Sequence, residues 1–197
     1  MFVPLAILVT ILIGAAGAAL GVFRKWIDAE GTKGIPDSLQ NIDYAGIFGS
    51  LAVWVLIGIV IAVCSSTPLR AAINNFFFFA GMLGGYFAYC YFVLGYVALK
   101  YAVFWGAVAC AAPVLGYFIW YARGKGAVGV IISGLLLGVM LAQGLKFTGG
   151  FKVTSIPNLV STALALIVLI RKPKESIFMI LLAIAVAVLY EMFVPAF

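Results

Sequence analysis

Seven nearly uncharged apolar runs occupy most of this chain, and they fix its solvent before any other feature is considered. They cover about residues 2–23, 45–64, 69–96, 101–122, 127–145, 155–170 and 176–195. A helix needs about 20 residues to cross a hydrocarbon core of about 30 Å, and most of the runs approach that length. Only 12 basic and 6 acidic residues stand among 197, with 66% of the chain hydrophobic. So little charge cannot coat a water-soluble particle of this size, so lipid must face most of the surface. The expected fold is all-α: one polytopic transmembrane helix bundle over residues 1–197, with about seven spans. Six is the alternative, because Gly149 and Gly150 before the sixth run and Pro157 inside it allow a broken or re-entrant element.

The breaks between runs carry helix-start and turn chemistry. Thr67 is placed to cap a helix that opens at Pro68, where a missing N–H costs nothing. Arg123-Gly124-Lys125-Gly126 reads as a tight polar turn, and Pro173 within Arg171-Lys172-Pro173-Lys174-Glu175 separates the last two helices. Short connections of this kind make consecutive spans antiparallel neighbours. The first run opens without a basic leader and is too long for a signal-peptide core, so it is expected to be a retained span.

Residues 24–44 form the one long connection, and they hold Asp28, Glu30, Asp37 and Asp43, four of the six acids. Asp37 is placed to cap a short surface helix there. Six basic residues (Arg70, Arg123, Lys125, Arg171, Lys172 and Lys174) sit in short loops on one side, and six (Arg24, Lys25, Lys33, Lys100, Lys146 and Lys152) on the other. The short-loop set abuts span ends, where positive charge governs orientation. That side, with the amino terminus, is expected in the cytoplasm; the 24–44 loop and the carboxyl terminus are expected outside.

Within the spans, small residues form stripes. Ala80, Gly81, Gly84, Gly85, Ala88 and Gly95 share an arc of about 140° on the third run, at 100° per residue. Such a stripe lets a neighbouring backbone approach closely. The rest of that run is crowded with aromatic rings, among them Tyr86, Tyr89, Tyr91 and Tyr96. Asn74, at the stripe's edge, is a better candidate for interhelical hydrogen bonding than Asn75. On the first run Gly14, Gly17, Ala18 and Gly21 share a face, offered here as a contact for a membrane partner. On the fifth, Gly134, Gly138 and Ala142 form one small face, with Gly129, Ser133 and Gln143 on another, so this helix is expected to be sandwiched.

The chain lacks histidine, the commonest metal ligand and general base. Cys64, Cys90 and Cys110 have neither metal-site nor disulfide spacing and read as small buried hydrophobes. Apart from Arg70 and Glu191, each near one end of its run, no charged residue lies inside an apolar run, which argues against proton-coupled carriers, voltage sensors and intramembrane proteases. The scattered basic residues show no nucleic-acid footprint. No catalytic, metal or cofactor site is expected, and the chain is not expected to be an enzyme.

Two stretches carry a resemblance. Ser66-Thr67-Pro68-Leu69-Arg70-Ala71-Ala72-Ile73-Asn74, leading into Gly81-Met82, and Tyr121-Ala122-Arg123-Gly124-Lys125-Gly126 resemble small multi-span membrane proteins of Gram-positive bacteria without a known activity. The small-residue first span, the long first loop and a loose Ala15-x-x-x-Ala19 pattern are also similar to substrate-binding subunits of energy-coupling-factor transporters. That resemblance implies a coupling subunit docked on the alanine pattern and a first loop that closes a ligand site, although those subunits typically have six spans. The expected function is therefore a small-molecule binding or transport subunit acting with partner proteins. Its candidate ligand residues are Trp26, Tyr44, Asn74, Tyr86, Tyr89, Tyr96 and Gln143, suited to a small uncharged or aromatic ligand. The alternative is a structural, immunity or sensor membrane protein with no ligand of its own.

Overall fold

A computed structural model describes residues 3–31, 35–124, 126–147 and 150–193. Lys33, Lys125 and Gly149, used above, lie outside the described residues. Among the described residues eight α-helices follow one another: α1 (Val3–Glu30), α2 (Tyr44–Gly49), α3 (Leu51–Cys64), α4 (Pro68–Phe92), α5 (Leu99–Trp120), α6 (Ala127–Gly144), α7 (Ile156–Leu169) and α8 (Pro173–Phe193). A two-stranded antiparallel hairpin, β1 (Leu145–Lys146) and β2 (Lys152–Val153), links α6 to α7. Five helices (α1, α4, α5, α6 and α8) are long and apolar enough to cross a membrane, while α3 and α7 are apolar but only 14 residues each. At 1.5 Å per residue those two are about 21 Å long, short of a bilayer core.

Four points differ from the sequence expectation, one being that the second run is broken at Ser50 into α2 and α3. The connection expected to begin at Arg24 begins at Gly31, because α1 continues unbroken through Glu30, with Arg24 and Asp28 paired across one helical turn at 3.5 Å. Asp37 is the first residue of a 3₁₀ turn, Asp37–Leu39, and does not cap it; its carboxylate accepts from Gln40 instead. The third run closes as a helix at Phe92, so Gly95, with φ +73°, belongs to a turn and not to the small stripe. The helix starts behave as expected. Thr67 Oγ1 accepts from the Arg70 N–H at 3.2 Å, and Ser155 Oγ accepts from Asn158 N–H at 3.4 Å.

Contacts group the chain into two compact units. The first comprises Met1–Ala45 and Ser65–Tyr117. Its centre is the pair α1 and α4, which approach backbone to backbone. A methyl group added at Gly17 would overlap the Phe78 carbonyl, one at Gly21 the Met82 carbonyl, and one at Gly81 or Gly85 the Gly14 or Ala18 carbonyl. These glycines are what makes the approach possible. Gly84, by contrast, has no atom near its missing side chain. The face of Gly14, Gly17, Ala18 and Gly21, expected to receive a partner subunit, is therefore taken by α4 of the same chain. Residue numbers rise together along the contact, from Thr10 with Asn74 to Gly21 with Met82, so the two helices run parallel.

The second unit comprises Gly46–Cys64 and Phe118–Phe197. Here α6 is central, with α7, α8 and the 3₁₀ turn Tyr121–Arg123 packed around it. Gly134 fits against Leu182 and Gly138 against Val186, so α6 and α8 are also parallel. Gly129, on another face, fits against Gly124 and the Arg171 guanidinium, and buried Ser133 donates to Ala122 O at 2.9 Å. The sandwiched helix expected from two small faces is thus α6. A polar seam ties its end to α7: Asn158 Nδ2 donates to Gln143 O at 2.9 Å, and Ser50, just before α3, donates to Asn158 Oδ1. Arg171, whose side chain is 8% exposed, clamps the Tyr121–Arg123 turn by donating to the carbonyls of Ala122 and Gly124 and pairing with Glu175 at 3.3 Å.

Candidate functional site

The candidate site lies in the first unit, where α1, α4 and α5 carry rings near their ends. Lys25 Nζ stands 5.3 Å from the centroid of the Tyr86 ring, within cation–π range. Tyr86 in turn faces Tyr101 at 6.1 Å, and Tyr101 meets Trp105 edge-on at 5.8 Å. Phe87 and Phe104 flank this row, 6.4 Å from Tyr101 and 5.5 Å from Trp105. The sequence dictates the juxtaposition. Tyr101 and Trp105 are four residues apart and share a face of α5, and the turn from 93 to 98 returns the chain so that this face meets the last turns of α4. Tyr86 precedes the end of α4 by six residues and Trp105 follows the start of α5 by six, so the row sits about 9 Å inside the helix ends. Trp105 Nε1 is buried and has no hydrogen-bond acceptor among the described residues. Such an arrangement can hold a flat ring by stacking and offer it one donor.

Of the residues singled out from sequence, Tyr86 belongs to this row. Trp26 and Tyr44 lie near each other instead, both against Phe23, at 5.9 and 6.1 Å. Among the described residues no ring contact links them to Tyr89, Tyr91 or Tyr96. Tyr89 is half-buried, and Tyr96 is exposed beyond the end of α4. Asn74 is 7% exposed and its amide is engaged on both sides, accepting from Thr10 Oγ1 and donating to Ser65 Oγ at 3.0 Å. The Gln143 amide turns back to its own helix, donating to Val139 O at 3.2 Å. Both amides are thus hydrogen-bonded within the chain. Cys90 is buried as expected, but Cys64 and Cys110 are exposed on apolar helices, because a small apolar thiol tolerates a lipid-facing position as well as a core. Lys25, Tyr101 and Trp105 were not singled out from sequence, although the i, i+4 spacing of the last two was legible.

The helices and their exposed apolar faces define a multi-pass membrane protein of helical build, with lipid as the partner of Leu8, Ile11, Phe92, Val103 and Phe178, all more than half exposed. Residues 40–197 match the model of a family of unknown function, DUF6518, and the chain belongs to that family. No curated protein and no solved structure matches the chain.

Proposed function

We propose that this chain is a membrane-embedded subunit that binds, or helps to move, a small uncharged aromatic molecule, and that it has no catalytic role. The observation that carries this reading is the buried Trp105 indole N–H, without an acceptor, beside the Tyr86–Tyr101 row. A buried donor left unpaired costs about 1–3 kcal/mol, and a ligand carbonyl or ring nitrogen would recover that cost. Tyr44 at the end of the first connection packs back on Phe23 in the last two turns of α1, which supports a loop poised near the same helix ends. In this reading the connection faces outward and the basic short loops face the cytoplasm. A coupling partner would use the exposed Ala15 and Ala19, on the side of α1 away from α4, in keeping with the similarity to energy-coupling-factor binding subunits.

The test is mass spectrometry of small molecules that co-purify with the native protein, compared with a Tyr86→Leu, Trp105→Phe variant of equal melting temperature. An aromatic compound retained by the native chain and lost from the variant is the expected result. Equal retention, or none in either, would favour the alternative of a structural, immunity or sensor protein. That alternative draws on the use of Asn74, Gln143 and the glycine faces for internal packing.

A further inference from the structure

The second unit contains a cleft that the aromatic row does not explain. It has a volume of about 380 Å³ and is lined by Arg123, Gly124 and the run from Leu169 through Lys172, with Glu175. That is within the range of small-ligand sites, roughly 300–1,000 Å³. Three cations face one carboxylate, and the carboxylate is already paired with Arg171. Arg123 and Lys172 are both exposed, and neither has an acidic partner among the described residues.

The two corners that carry these cations are held rigidly. Arg171 fixes the first by donating to the carbonyls of Ala122 and Gly124, and the bare Gly129 leaves room for its guanidinium. The second is fixed at Arg171 itself, whose N–H donates to Ser176 Oγ at 3.1 Å, while Ser176 N–H donates to Lys172 O at 2.9 Å. Arg171 Nε remains buried without an acceptor, so the positive charge under the cleft is only partly compensated. The setting is also specific in depth. Arg123 follows α5 by three residues, Lys172 separates α7 from α8, and the neighbouring Trp120 and Tyr121 pair at 5.1 Å is of the kind that marks a headgroup layer. Ile170, which also lines the cleft and is 67% exposed, offers an apolar surface beside the charges, with buried Leu169 forming the floor.

We infer that this cleft binds a phosphate group, held between Arg123 and Lys172 over the fixed Arg171, and that an anionic phospholipid headgroup supplies it. A preorganised basic pocket between helix ends is the form such recognition takes. Free phosphate is the other source of the same chemistry. It is distinguished by the absence of a need for the acyl chains that the exposed Ile170 would accompany.

The experiment uses the full chain in phosphatidylcholine nanodiscs, with native mass spectrometry and melting temperature as readouts. One arm adds phosphatidylglycerol and a second adds inorganic phosphate. Preferential retention of phosphatidylglycerol with a raised melting temperature is expected, and both should be lost in Arg123→Gln, Lys172→Gln, with retention falling about thirtyfold. Both positions are exposed, so the variant should melt like the native chain in phosphatidylcholine alone. A control with the same charge loss away from the cleft, Lys100→Gln, Lys152→Gln, both exposed, should keep the preference. Stabilisation by inorganic phosphate alone would assign the site to a soluble phosphate. No response in either arm, or an equal loss in the control, would overturn the proposal.

Discussion

Thr10 Oγ1 donates to Asn74 Oδ1 at 2.7 Å, joining the parallel helices α1 and α4 at one end of their glycine contact. Asn74 passes the bond on to Ser65 Oγ. In a pair held mainly by backbone approach, this bond sets the register that places Gly17 opposite Phe78 and Gly21 opposite Met82. Interhelical hydrogen bonds in membranes couple by about 0.6 kcal/mol on average and by at most about 1.7. A double-mutant cycle with Thr10→Val and Asn74→Leu, read by melting in detergent, should give a coupling in that range. Zero coupling would mean that the two side chains act independently.

The glycines separate more sharply. Gly85→Ala should destabilise by about 2 kcal/mol, because its methyl group would overlap the Ala18 backbone, which cannot yield as a flexible side chain would. Gly84→Ala should be neutral, or stabilising by up to about 1 kcal/mol, because the site is open and alanine is the better helix former. Equal melting temperatures for the two variants would remove the close α1–α4 contact.

That contrast shows how far the sequence could be read. The stripe that placed Gly84 and Gly85 together came from 100° spacing alone, which fixes a face but not the line along which a partner crosses it. Asn74 was the better interhelical candidate on the same angular grounds, and the structure uses it so. The break at Ser50 and the run of α1 to Glu30 were not legible. The first rests on a bond to Asn158, more than 100 residues away. The second rests on local pairing that a charge count reads as loop. Of the candidate site, only Tyr86 was found. In the sequence Lys25 is only one of the six basic residues on the side of the long connection, and its position over Tyr86 depends on the α1–α4 register.

Arg171 is expected to matter far more than its ion pair. Arg171→Met takes the side-chain donor from the Gly124 carbonyl and leaves Ala122 O with Ser133 alone, and should cost about 3 kcal/mol. Arg171→Lys should recover less than half of that, since an ammonium lacks the planar fork that reaches both oxygens. Glu175→Gln should cost under about 1 kcal/mol, its side chain being 35% exposed. Chemical unfolding of the three variants checks the order. A Glu175 variant as unstable as the methionine variant would place the stability in the ion pair instead.

The parallel pairs make a prediction about the two short helices. A chain that leaves α1 at Glu30 and enters α4 at Pro68, parallel to it, must return the length of the pair, and the returning segment contains α3. The same holds for α7 between the parallel α6 and α8. Both short helices should therefore cross, with flanking residues completing the distance that 14 residues cannot span. Single cysteines at Asn41, Ser66, Lys152 and Lys172, all exposed, test this in a background where Cys64, Cys90 and Cys110 are serine. A membrane-impermeant maleimide applied outside should label Asn41→Cys and Lys152→Cys, and should reach Ser66→Cys and Lys172→Cys only after permeabilisation. Labelling of the Asn41 and Ser66 sites from one side would show that α3 turns back within the membrane. The Lys152 and Lys172 pair reports on α7 in the same way, and a wholly reversed pattern would keep seven crossings while inverting the orientation expected from the basic loops.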